Sequence, residues 1–166
     1  MRGTTVTLGS LALVVASSLW APASQAHTSE AVTCTGHAES RYDPPLALLP
    51  RQTRNHADVR YTCTVTPGRT LPASGSFDLD PTPASCVSLS NGHGTETVRY
   101  ADGRRSEIDL TGITTTRAAG ALILLQTGHV TEGRGKGHHV RRTVTIAPTG
   151  CGPRSYESAV QLEILP

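Results

Sequence analysis

Aromatic residues are scarce in this chain of 166 residues: one Phe, one Trp and four Tyr make up 4% of it. Proteins that grip sugars or single-stranded nucleic acid present aromatic platforms, and few residues here could build one. Met1 is the only methionine and charged residues reach only 17%, a composition unlike a coiled coil or a charged helical bundle. Formal net charge is +2 with a pI near 8.5, so charge alone calls for no nucleic-acid partner. No Cys-x-x-Cys pair occurs, which argues against a redox centre or structural zinc. No Gly-x-Ser-x-Gly elbow, His-x-His or His-Glu-x-x-His spacing occurs either. No cofactor is expected.

Residues 1–26 read as a secretory leader. Arg2 supplies the positive start, Leu8 to Trp20 is a short apolar run, and Ser24-Gln25-Ala26 fits a small-x-small cleavage site. The run is shorter than the ~20 apolar residues a spanning helix needs, so no membrane anchor is expected. Cleavage after Ala26 leaves 14 Lys+Arg against 13 Asp+Glu, a net charge of +1, and removes Trp20. The expectation is a freely secreted, extracellular domain over residues 27–166.

Cys34, Cys63, Cys86 and Cys151 all fall after the leader. An even count in an exported chain predicts two disulfides, with three connectivities open. Cys34 shares strand parity with Val32 and Ala38, and Cys63 with Val59, Tyr61 and Val65. Both then point inward from neighbouring strands, which favours Cys34–Cys63 and Cys86–Cys151.

Period-two alternation dominates the rest. Asp58 to Val65, Glu107 to Thr111 and Tyr156 to Ile164 each alternate polar and apolar residues. About eight strands are predicted: 32–39, 57–66, 75–80, 95–101, 104–113, 120–131, 138–147 and 156–165. The expected fold is all-β, an antiparallel closed or nearly closed barrel, with a two-sheet sandwich as the alternative. Three prolines keep Tyr42 to Pro50 from being an inner strand, so it is expected to lie as a loop over an edge. Residues 67–74 and 81–85 read as turns. At Asp102-Gly103 a two-residue turn would put Ile108 and Leu110 on the wrong face. A three-residue loop pairing Val98 with Ser106 keeps one apolar face, and predicts a type I turn with a glycine bulge and Gly103 at positive φ.

Val98 to Ser106 resembles the Trp-Ser-Asp-Gly hairpin of small secreted actinobacterial all-β proteins. Gly128 to Gly137 is similar to their Gly-x-Val-x-x-Gly-x-Phe-x-Gly segment, and Tyr42-Asp-Pro-Pro-Leu46 to their Tyr-x-Pro-Gly-Leu loop. Cys34-Thr-Gly36 resembles their first cysteine motif, and the order of the motifs matches over most of the mature chain. Tyr100 stands at the Trp position and Gly135 at the Phe position. The resemblance implies secretion and an all-β domain, and it supplies no catalytic residues because the family has no assigned activity.

The most cationic stretch is Arg134-Gly-Lys-Gly-His-His-Val-Arg-Arg142. Arg134, Lys136, His138, His139, Arg141 and Arg142 form a candidate anion-binding loop suited to weak polyanion contact; the bland reading is a solvated hairpin tip. Histidines 27, 37, 56, 93, 129, 138 and 139 show no ligand spacing, and only His129 with His138, near Glu132, could meet across a hairpin. Asp78 and Asp80 share a strand face and could form a carboxylate pair. Arg142 falls on the apolar parity of Val140, Val144 and Ile146. It is therefore expected to point inward, with Glu132, Glu107 or backbone carbonyls as partners, the alternative being a bulge between Val140 and Val144 that turns it out to solvent. These features favour a non-enzymatic extracellular module that binds or shields something. The alternatives are a small hydrolase with a site in the barrel mouth and a secreted inhibitor acting through Tyr42–Pro50.

Overall fold

The computed structural model describes residues 30–66, 68–89, 92–147 and 155–166. The leader, His27 and Cys151 lie outside them. Eight strands follow in chain order: β1 (Val32–Asp43), β2 (Arg51–Thr66), β3 (Arg69–Ala84), β4 (Gly94–Tyr100), β5 (Arg105–Ala118), β6 (Ala121–Gly133), β7 (His139–Ile146) and β8 (Ser155–Leu165). Each pairs antiparallel with the next, and β8 returns to β1, closing an up-and-down barrel. Closure rules out the open sandwich, because no strand is left with a free edge.

The alternation seen in the sequence becomes inside and outside. Val32, Cys34, Ala38, Ser40 and Tyr42 of β1 are buried while the residues between them are mostly exposed. Cys34 and Cys63 lie directly opposite across β1 and β2 and are joined. One disulfide rather than two is found among the described residues, since Cys151, the expected partner of Cys86, is not among them.

Several strands run further than composition suggested. Neither 69–74 nor 81–84 is a turn; both belong to the 16-residue β3. Pro81 is tolerated because Asn55 pairs with Leu79 but Thr53 with Thr82, so Asp80-Pro81 holds an extra residue in a bulge, while Pro72 and Pro83 lie outside the Ala73–Leu79 stretch paired with β4. Tyr42 and Asp43 extend β1, and the loop proper is 44–50, entered through a cis Asp43–Pro44 bond. β5 reaches Ala118 and turns at Ala119-Gly120, both at positive φ. The Asp102-Gly103 loop has the expected register, with Val98 opposite Ser106 and Gly103 at φ 83°. The Tyr100 N–H donates to the Arg104 carbonyl at 2.9 Å, and the Gly103 N–H to that of Tyr100 at 3.0 Å.

The barrel interior is not uniform. The half holding the start of β1 and the end of β8 is packed with Val32, Val65, Val98, Ile108, Val130, Leu162 and Ile164. The Gly133–His138 turn folds across this end, and Arg134 stacks on the Tyr100 ring at 4.5 Å. Arg134 Nη2 reaches Asp102 Oδ2 at 2.6 Å, and Nε lies 3.4 Å from Glu30 Oε2. The opposite half, at the end of β1, is lined by polar residues and is the mouth described next.

Candidate functional site

Adjacent strands carry inward polar residues at the mouth: Tyr156 and Ser158 on β8, Ser40 and Tyr42 on β1, Thr53 and Asn55 on β2. Register places Ser40 opposite Tyr156, and Tyr42 opposite Asn55. Strand parity alone aims all six into the barrel. The Tyr42 and Tyr156 rings meet edge to face, with centroids 5.6 Å apart. Burial pushes the Tyr42 phenol up to about 12, so it stays protonated and able to donate. Asn55 Nδ2 donates to the Arg41 carbonyl at 3.1 Å. The Tyr156 and Ser158 hydroxyls are buried and have no hydrogen-bond partner. Leaving such a group unpaired costs ~1–3 kcal/mol.

Beneath this wall lies the deepest charge pair. Arg142 is 2% exposed and its Nε sits 2.9 Å from Glu96 Oε2. Its Nη1 donates to Gln126 Oε1, directly across from it on β6. The guanidinium lies over the Phe77 ring at 4.5 Å, and Tyr61 donates to Glu96 Oε1 at 2.8 Å. Burial works against the Arg142 charge, but the Glu96 carboxylate and Tyr61 more than offset it, so its pKa ends above the ordinary value. The Tyr61 phenol is pushed well up by burial and by the Glu96 charge. Gly75 makes room for the pair, since a Cβ there would fall 2.7 Å from Glu96 Oε1.

Arg142 therefore points inward as parity required, but its partner is Glu96. Glu107 and Glu132 pair with Arg105 instead, at 3.1 and 3.7 Å. Glu96 was legible by the same parity rule: it alternates with Val98 and Tyr100, as Arg142 does with Val144 and Ile146. An acid and a base on the apolar parity of two strands is the signal that went unused.

A cavity of about 20 Å³ lies between the pair and the mouth, lined by Ser40, Tyr42, Asn55, Leu89, Gln126 and Arg142 among others. That is room for about one water. Two segments cover it. Loop 44–50 buries Leu46, and the Thr53 hydroxyl and Arg51 guanidinium donate to the Pro44 and Pro45 carbonyls. The Cys86 N–H donates to the Ala47 carbonyl at 2.9 Å, tying this loop to the segment after β3, which buries Leu89. Leu48 and Leu49 stay 72% and 80% exposed on the rim.

The candidate anion-binding loop does not assemble as six free groups. Arg134 and Arg142 are buried and paired with different carboxylates, Arg134 at the closed end and Arg142 deeper in the barrel, which removes them from any outer surface. Arg141 lies 3.7 Å from Glu163. Lys136 and His139 remain exposed, and His138 is half-buried. His129 pairs in register with His139 rather than His138. No group of three or more His, Cys, Asp or Glu among the described residues could hold a metal ion.

Asp78 and Asp80 do not work as a carboxylate pair; each takes an imidazole on the outer wall. His56 Nδ1 is 2.7 Å from Asp78 Oδ1, and its Nε2 is 3.6 Å from Asp58. His93 lies between Asp80 at 2.7 Å and Asp109 at 2.6 Å. Both imidazole pKa values are raised, chiefly by the hydrogen bonds the rings make to the Asp78 and Asp80 carboxylates.

No family model, curated protein or solved structure matches this chain. The functional reading therefore rests on the chain's own geometry.

Proposed function

We propose that residues 27–166 form a secreted, non-enzymatic binding module that takes a small molecule into the polar mouth of its barrel. The observation that carries this is the pair of buried, unpartnered hydroxyls, Tyr156 and Ser158, in the polar wall of the barrel mouth. A wall with a purely structural role gains nothing from hydroxyls that bond nothing. The acid and base in the interior are bound to each other and to Gln126 and Tyr61, which speaks for binding rather than hydrolysis. Export agrees with the leader-like residues 1–26, with the Cys34–Cys63 bridge and with the resemblance to small secreted actinobacterial proteins. No helix among the described residues is long and apolar enough to cross a membrane. A second bridge, Cys86–Cys151, belongs to the same reading. Native mass spectrometry of the protein recovered from culture medium tests it. A non-covalent small-molecule adduct, lost in a Leu89→Trp variant that fills the cavity, is the expected result. Turnover of an ester or glycoside panel that is abolished by Glu96→Gln would replace binding with hydrolysis.

One observation favours a second reading, an inhibitor acting through loop 44–50. Its carbonyls are tied down from three sides while Leu48 and Leu49 project outward. Stoichiometric inhibition of an extracellular serine protease with an apolar specificity pocket, abolished by Leu48→Asp with Leu49→Asp, would establish it.

A further inference from the structure

The mouth also carries information about the charge of what it binds. We infer that its ligand is a small uncharged amphipathic molecule with a hydrogen-bond acceptor, held by the Tyr156 and Ser158 hydroxyls against the apolar side chains of the cavity. This deepens the binding reading above and rests on it.

The charge argument comes first. Among the described residues, Arg142 is the only permanent cation lining the cavity, and Glu96 and Gln126 already engage it. An anion entering here would meet a neutral pair, with the Glu96 carboxylate close behind it. It would leave water without gaining a counter-charge, which is unfavourable in a buried site. A cation fares no better. No carboxylate among the described residues lines the cavity, and both Glu96 oxygens are engaged, by Arg142 and Tyr61.

The hydroxyls supply the positive side of the argument. Tyr156 and Ser158 are 7% and 4% exposed, on the same face of β8. Tyr156 stands directly opposite Ser40, which lines the cavity, and its ring packs on Tyr42, which does too. Their O–H groups can donate to a carbonyl or ether oxygen. Phe77, Leu79, Leu89, Leu124 and Val144 complete the lining and suit a hydrocarbon body. Since the cavity holds about one water, a larger ligand must take the place of Leu89.

The test compares two probes of equal chain length, 2-nonanone and nonanoate, on the disulfide-bonded mature domain at pH 8. Tyrosine fluorescence and the methyl NMR signals of Leu89, Leu124 and Val144 report binding. The ketone is expected to bind at least ~10-fold more tightly than the carboxylate. Tyr156→Phe with Ser158→Ala is expected to weaken the ketone several-fold without lowering Tm. Equal or tighter binding of nonanoate would overturn the neutral-ligand inference and leave the binding reading standing. Ketone binding indifferent to the double variant would overturn the role of the two hydroxyls. If neither probe moves these methyls, in the wild type or in Leu89→Ala and Leu46→Ala variants that widen the mouth, the binding reading itself falls.

Discussion

The two halves of the barrel obey one alternation rule and use it for opposite ends. At the closed half the inward positions are mainly Val, Ile and Leu, and the Cys34–Cys63 bridge joins neighbouring strands β1 and β2. Its buried hydroxyls find partners: those of Tyr100 and Ser106 lie 3.0 Å apart, and Ser106 donates to the Arg134 carbonyl at 2.8 Å, although Arg134 Nη1 and His138 Nδ1 there bond nothing. At the mouth the same parity carries Ser, Thr, Asn and Tyr, and two hydroxyls are left without partners. A closed barrel needs only enough apolar packing to hold its strands. Once one half supplies it, the other half is free to carry groups that do not help folding. The Arg142–Glu96 pair sits at the boundary and ties β7 to β4 across the interior.

The boundary pair should give the largest effect. Arg142→Met leaves Glu96 buried and uncompensated, and should cost ~3–5 kcal/mol in urea unfolding. Arg142→Met combined with Glu96→Leu should recover most of that loss. A double variant as unstable as the single one would mean that the pair is not the main link across the halves.

Leu162→Ala probes the closed half and should cost ~2–5 kcal/mol, because the cavity left there cannot collapse in a closed barrel. A cost under about 1 kcal/mol would place the stabilising core elsewhere.

The outer wall predicts a pH dependence. The His56 and His93 pKa values are raised in the folded state. Their stabilisation is therefore fully present below the unfolded value of about 6.5 and is lost as pH rises through the folded values. Tm should fall from pH 6 to pH 8, and the fall should shrink in His56→Gln with His93→Gln. Because both histidines are largely exposed, the effect should be small and weaker in high salt. A Tm that rises over this range would refute the assignment.

The mouth should give the smallest stability change. Tyr156→Phe and Ser158→Ala each remove an unpartnered hydroxyl, so stability should stay within ~0.5 kcal/mol of wild type or rise. A loss above about 1 kcal/mol would show that these hydroxyls are structural, and the contrast between the halves would disappear.

Much of this architecture could be read in advance for one reason. In a strand, side-chain direction depends on parity alone, so a local pattern reports a global inside and outside. Parity placed Cys34 with Cys63, turned Arg142 inward and chose the three-residue loop at Gly103. It failed where composition stood in for parity: Pro72, Pro81 and Pro83 suggested turns, yet β3 runs through all three. The basic run 134–142 failed for a related reason. Linear proximity put Arg134 and Arg142 together, whereas a turn and a strand send them to separate partners, Arg134 onto the Tyr100 ring at the closed end and Arg142 onto the Phe77 ring inside the barrel. Sequence by itself determined the all-β class, the strand count and which side chains face in. Only the tertiary structure decided that the sheet closes, that Glu96 on β4 meets Arg142 on β7, and that the Tyr156 and Ser158 hydroxyls are left without partners. Those are contacts between strands far apart in the chain, set by how the sheet curls on itself, and no local periodicity encodes them.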